Sequence, residues 1–114
     1  MQLRAQLIDG IQLLSTQGRI DQAGAEPFSA ALSPYLADCQ AGQPAIVLDF
    51  AGVEYISSIG LRALMLAHKQ ATAQQGRIAI AALTPLVAEV FAISHFDQVL
   101  KVYPTVADAI EALR

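Results

Sequence analysis

Apolar and polar positions change rhythm several times along the chain, and each change marks an element. Residues 2 to 7 (QLRAQL) and 11 to 16 (IQLLST) are short strand-like runs separated by Asp9-Gly10, a dipeptide suited to a tight hairpin turn. They predict an antiparallel pair. Gly18 breaks the pattern, and GRID adds a few extended residues before the first helix. From Phe28 the apolar positions Phe28, Ala31, Leu32, Tyr35, Leu36 and Cys39 recur at steps of three and four, the period of one helix face. Pro27 suits a first turn, whereas Pro34 would remove an interior hydrogen bond and is expected to kink or interrupt the helix.

Ala45 to Phe50 (AIVLDF) is almost continuously apolar, as in a strand covered on both faces. A second helix is expected from Ser58, with Leu61, Leu64, Met65, His68 and Thr72 on one stripe and Gly76 as its stop. Arg77 to Leu83 reads as a strand. Thr84-Pro85 then supplies a cap and a proline at the first helical position, for a helix running to about Ser94. Gln98 to Tyr103 is expected to form the last strand, and Thr105 with Asp108 a capping-box-like start to a helix carrying Val106, Ile110 and Leu113. The predicted order is β-β-α-β-α-β-α-β-α, an α/β fold. Strands alternating with helices imply crossovers and a largely parallel sheet, made mixed by the N-terminal hairpin.

Length makes this one domain, residues 1 to 114, with room for a single core. Apolar residues make up 54% and charged residues 15%, which fits a packed globule and not a disordered chain. No apolar run approaches the roughly 20 residues of a membrane span. The N-terminal MQLRAQLIDG lacks a basic segment followed by an apolar one, so no export signal or membrane insertion is expected. Cys39, the only cysteine, has no partner for a disulfide and no metal-ligand pattern around it; a core-filling role in a reducing cytoplasm follows. The formal net charge is −3 and no Lys/Arg cluster occurs, which argues against direct nucleic-acid binding.

Candidate chemistry is sparse. His68 falls within a helix and His95 in ISHFDQ, neither with a metal-ligand partner at suitable spacing, so no metal site is expected. The acidic residues form no pair that would divide acid and base roles. Asp21, after a glycine turn and before the first helix, suits either turn stabilisation or partner contact; Asp49 suits a hydrogen-bonded position within its strand. Glycine-rich phosphate cradles are missing, and Ser57 and Ser58 lack the glycine of a GxSxG elbow. No catalytic residue, enzyme activity or cofactor is expected. The serine pair has two readings: a helix cap, or a modification site where strand end meets helix start.

The stretch IVLDFAGVEYISSIGLRAL resembles the signature of the STAS domain family, particularly its bacterial anti-sigma factor antagonists. Gly18-Arg19-Ile20-Asp21 is similar to the G-x-L-D element before that family's first helix, Gly76 to the glycine before the next strand, and VYPTVADAIEAL to the terminal strand and helix. The resemblance implies a STAS fold, a mixed sheet of four to five strands flanked by about four helices, acting as a binding module. It implies phosphorylation at Ser58 and a partner surface of Asp21, Ser57, Ser58, Ile59, Gly60, Leu61 and Arg62. Ser57 replaces an often-found Asp, and Ile59 an often-found Ser, Thr or Ala. The implied partners are an anti-sigma factor that is also a serine kinase, and a PP2C-type phosphatase; weak homodimerisation is compatible with this. An accessory subunit docking on a transporter, such as a phospholipid-transport ATPase, is the alternative role.

Overall fold

The computed structural model describes residues 1–114. Strand β1 (Gln2–Ile8) pairs antiparallel with β2 (Ile11–Ile20), closing at Ile8 opposite Ile11. Asp9 and Gly10 both take positive φ, 52° and 75°, as a two-residue turn with the twist of its flanking strands requires. The hairpin is thus fixed by local chemistry. β2 runs four residues beyond the predicted Thr16, passing two register shifts on its side facing β3 (Ile46–Ile56), the second of them next to Gly18. β3, β4 (Ile78–Ala81) and β5 (Val102–Tyr103) continue the sheet in parallel, in the order β1-β2-β3-β4-β5. The mixed sheet and the element order are those expected.

Helices α1 (Ala25–Ala37), α2 (Ser58–Ala73) and α3 (Pro85–Ile93) pack on one face. Phe28, Leu32, Leu36, Leu61, Leu64, Val87 and Phe91 meet Leu14, Leu48, Phe50 and Ile80 there. The opposite face is covered in part by α4 (Val106–Leu113), whose Ala109 and Leu113 pack on Leu13, Val47, Ala79 and Ala81. Neighbouring residues in the N-terminal halves of β2 and β3, and along β4, alternate between the two clusters, so these stretches are buried on both sides. No helix is long and apolar enough to cross a membrane.

Several expectations differ in detail. α1 is not interrupted at Pro34: that proline and Ala30, whose carbonyl loses its helical donor, both lie on the exposed side, where an unpaired main-chain group costs least. Thr72 is exposed, and the buried stripe of α2 is Leu61, Leu64, Ala67 and Ala71. β4 is shorter than Arg77 to Leu83 because Ala82 turns to φ 61°. Gln98 to Lys101 is not strand. His95, at φ 62°, starts a 3-10 turn over Phe96–Gln98, and this turn delivers Leu100 into the core.

The C-terminal ends of α1 and α2 are joined. Gln75, not Gly76, takes the left-handed conformation that ends α2, at φ 63°. Gly76 is needed for space, since a Cβ there would run into the Cys39 carbonyl oxygen. Gln74 Nε2 donates to the carbonyls of Leu36 at 2.9 Å and Cys39 at 2.7 Å, filling acceptors that the end of α1 leaves open. Cys39 is buried, its thiol donating to the Arg77 carbonyl at 3.3 Å, and burial pushes its pKa up.

Candidate functional site

Parallel pairing of β2 with β3 creates the site. Ile20 lies opposite Ile56, so the residues that follow, Asp21 and Ser57, emerge together at one edge of the sheet although 36 positions apart in sequence. The junction is bonded through main chain: Ser57 N–H donates to the Ile20 carbonyl at 3.0 Å.

Ser57 is the residue before the helix, extended at φ −94° and ψ 176°, and its Oγ accepts from the Gly60 N–H at 3.3 Å. The same hydroxyl donates to the Ile20 carbonyl at 3.4 Å. It therefore caps α2 and ties the helix start to the end of β2. Ser58, one residue on, is exposed at the first helical position with its hydroxyl outside the cap. The two serines thus divide the two readings between them.

Gly60 is buried. A Cβ at that position would strike the Ile20 carbonyl oxygen and approach Ile56 Cγ1 at 2.7 Å, so only glycine lets α2 start this close to β2. Leu61 is 7% exposed and turned into the core. Ile59, 46% exposed, and Arg62 stand outward. Of the expected surface residues, Ser58, Ile59 and Arg62 are thus exposed and Asp21 partly so, while Ser57, Gly60 and Leu61 hold them in place.

Asp21 closes the turn into α1. Its Oδ1 accepts from the N–H groups of Ala23 and Gly24, both at 3.1 Å, and its Oδ2 from Arg19 Nε at 3.3 Å. The Gly24 N–H is the largest influence holding the carboxyl below its ordinary pKa of 3.8; desolvation, next in size, opposes it, and the Arg19 and Ala23 bonds add to it. The Arg19 guanidinium lies 4.8 Å from the centre of the Tyr55 ring. Arg19 and Tyr55 were not singled out from the sequence, because their contact depends on the strand register that places them opposite each other.

The other candidates lie apart from this edge. His68, half-buried on α2, has an unpartnered Nδ1, and His95 is exposed beyond α3. Asp49 accepts from Ser15 Oγ at 3.2 Å and from the Ala51 N–H at 3.0 Å, a hydrogen-bonded strand aspartate as expected. It lines a polar groove of about 640 Å³ on the face that α4 leaves open, together with Gln2, Arg4, Ser15 and Gln17.

The family model described as STAS domain matches residues 2–109. This chain belongs to the STAS domain family. BtrV of Bordetella bronchiseptica, a family relative with an inferred assignment as an anti-sigma factor antagonist, is 39% identical over 112 residues, covering 98% of this chain and 90% of that protein. The crystal structure of an anti-sigma factor antagonist from Mycobacterium paratuberculosis superposes with a TM-score of 0.87 at 27% identity, covering 99% of this chain and 93% of that one. A Thermotoga maritima structure shares the fold at TM-score 0.86 and 22% identity, over 98% of this chain and 94% of that one.

Within this STAS domain the serine edge offers an exposed hydroxyl on a preformed helix start. Added negative charge at the first turn is compatible with the helix dipole, by about 0.3–1 kcal/mol at an exposed site. Modification there leaves the cap untouched, because Ser57 supplies it.

Proposed function

We propose that this STAS domain is an anti-sigma factor antagonist in a partner-switching circuit, acting as a single binding module without catalysis. Its unphosphorylated form binds an anti-sigma factor through Ser58, Ile59, Arg62 and the Asp21 turn, and so frees a sigma factor. Phosphorylation of Ser58 by the same partner, an ATP-dependent serine kinase, ends the contact, and a PP2C-type phosphatase restores it in the cytoplasm. The observation that carries this reading is the division of labour between the serines: Ser57 caps the helix and Ser58 stands exposed. The relationship to BtrV supports the general role.

The switch needs no refolding. A phosphate adds about −1.5 to −2 charges and three acceptor oxygens to a surface whose neighbour Asp21 is already anionic. A shift of a complex from 1:99 to 99:1 takes about 5.5 kcal/mol, within reach of a dianion that must be desolvated against an unprepared partner. The test incubates wild type and Ser58→Ala with ATP and the anti-sigma factor kinase that this reading assigns as partner. Wild type is expected to take up phosphate and leave the complex, while Ser58→Ala stays bound and unlabelled. Equal labelling of the two removes Ser58 as the site. Stable co-purification with a membrane transporter, without labelling of either, replaces this reading with the accessory-subunit role.

A further inference from the structure

The free edge of the sheet carries an inference independent of the serine site. β1 is one of the two terminal strands of the order β1-β2-β3-β4-β5, the other being the two-residue β5, and its main chain has a partner on one side only. Such an edge is a ready template for another strand. Its residues are exposed apart from half-buried Leu3 and Ile8, and Leu7 is 64% exposed, one of the most exposed large apolar side chains in the protein.

We propose that β1 pairs with β1 of a second copy, antiparallel about a two-fold axis through Ala5, joining two sheets into one of ten strands. The strand Gln2–Ile8 is centred on Ala5, so this register leaves no residue unpaired. Gln2 meets the second copy's Ile8, Leu3 meets Leu7, Arg4 meets Gln6, and Ala5 meets itself. Antiparallel neighbours directly opposite share a face, so Leu3, Ala5 and Leu7 of both copies form one apolar row. Leu3 already packs against the main core, which the row would extend across the axis.

The alternatives are poorer. A register centred on Arg4 sets two guanidinium groups face to face, and one centred on Gln6 sets Arg4 against Ile8. In the Ala5 register the two Arg4 groups are diagonal neighbours about 7–8 Å apart, each opposite a carboxamide. Each also has Asp49 in its own cross-strand row, through Ser15, roughly 10 Å inward. β1 is two strands from β3, which leads into Ser58, so self-pairing and the serine edge use different surfaces.

The test is the solution mass of the intact chain by sedimentation over a wide concentration range, with three substitutions at exposed Ala5. Ala5→Lys and Ala5→Asp each place like charges across the axis and are expected to weaken dimerisation by about tenfold, the equivalent of about 1.4 kcal/mol, with unchanged circular dichroism. Mixing the two is expected to restore the dimer, an outcome that simple misfolding would not produce. Ala5→Cys is expected to cross-link on mild oxidation, unlike Ala107→Cys on the exposed side of α4, while Cys39 stays buried. The proposal is overturned if wild type remains monomeric at every concentration. It is equally overturned by a dimer indifferent to both charged variants, or by cross-linking at Ala5 no faster than at Ala107.

Discussion

Replacing the two serines by alanine one at a time separates structure from signalling. Ser57→Ala removes the acceptor for the Gly60 N–H and the donor to the Ile20 carbonyl, bonds of 3.3 and 3.4 Å. Both are long, which argues for the middle of the range for a lost N-terminal cap, about 1 kcal/mol, and not its upper end. Ser58→Ala removes no bond of the cap and improves helix propensity, so its expected effect is neutral to about 0.5 kcal/mol stabilising. With an unfolding entropy of about 2.1 cal/mol/K per residue, the 114 residues give roughly 0.24 kcal/mol/K, so Ser57→Ala should melt about 4 °C below wild type. Ser58→Ala should melt at or slightly above it. Urea unfolding supplies the same comparison at constant temperature, with m-values unchanged if only the native state is affected. The division of roles is refuted if Ser58→Ala proves the more destabilised protein, or if both lose stability equally.

Two further substitutions probe the same edge. Gly60→Ala should cost about 2–3 kcal/mol in urea unfolding, because the new methyl meets a main-chain carbonyl and the Ile56 side chain; a loss below 0.5 kcal/mol, by the same rough scale, would show that α2 can move off β2 freely. Asp21 has a folded-state pKa below its ordinary 3.8, so its contribution is present above that value and is lost as pH falls through the lower folded value. Asp21→Asn does not titrate and should show a shallower fall in stability below about pH 4, together with lower stability at neutral pH. Equal acid limbs in the two proteins would refute that contribution.

Local chemistry made much of the fold legible. Asp9-Gly10 demanded a tight turn, Thr105 and Asp108 formed the cap expected of them at 3.0 Å, and the spacing of Phe28, Leu32 and Leu36 specified a buried face. What escaped depended on partners distant in sequence. The extension of β2 to Ile20 rests on β3 running alongside it, and Gln98 to Lys101 gave up a strand-like pattern because Leu100 fills the core. Pro34 misled because a proline's cost depends on whether its orphaned carbonyl faces water, which spacing alone does not show. At the site, Ser57 and Ser58 are equivalent as residue types. Strand pairing brings in the Ile20 carbonyl, which holds Ser57 extended at the helix start, where its hydroxyl caps through the Gly60 N–H.

The bonds of Gln74 have a mechanical consequence. At one end α2 is fastened to β2 through Ser57, and at the other to the end of α1 through two carbonyls. A rod pinned at both ends neither slides nor tilts without breaking a fastening. This argues against a ratchet of the helix as the means of carrying a signal from Ser58 through the domain. A message written there is read where it is written, by whatever touches that surface, and a reporter placed within the α1–α2 interface should stay silent.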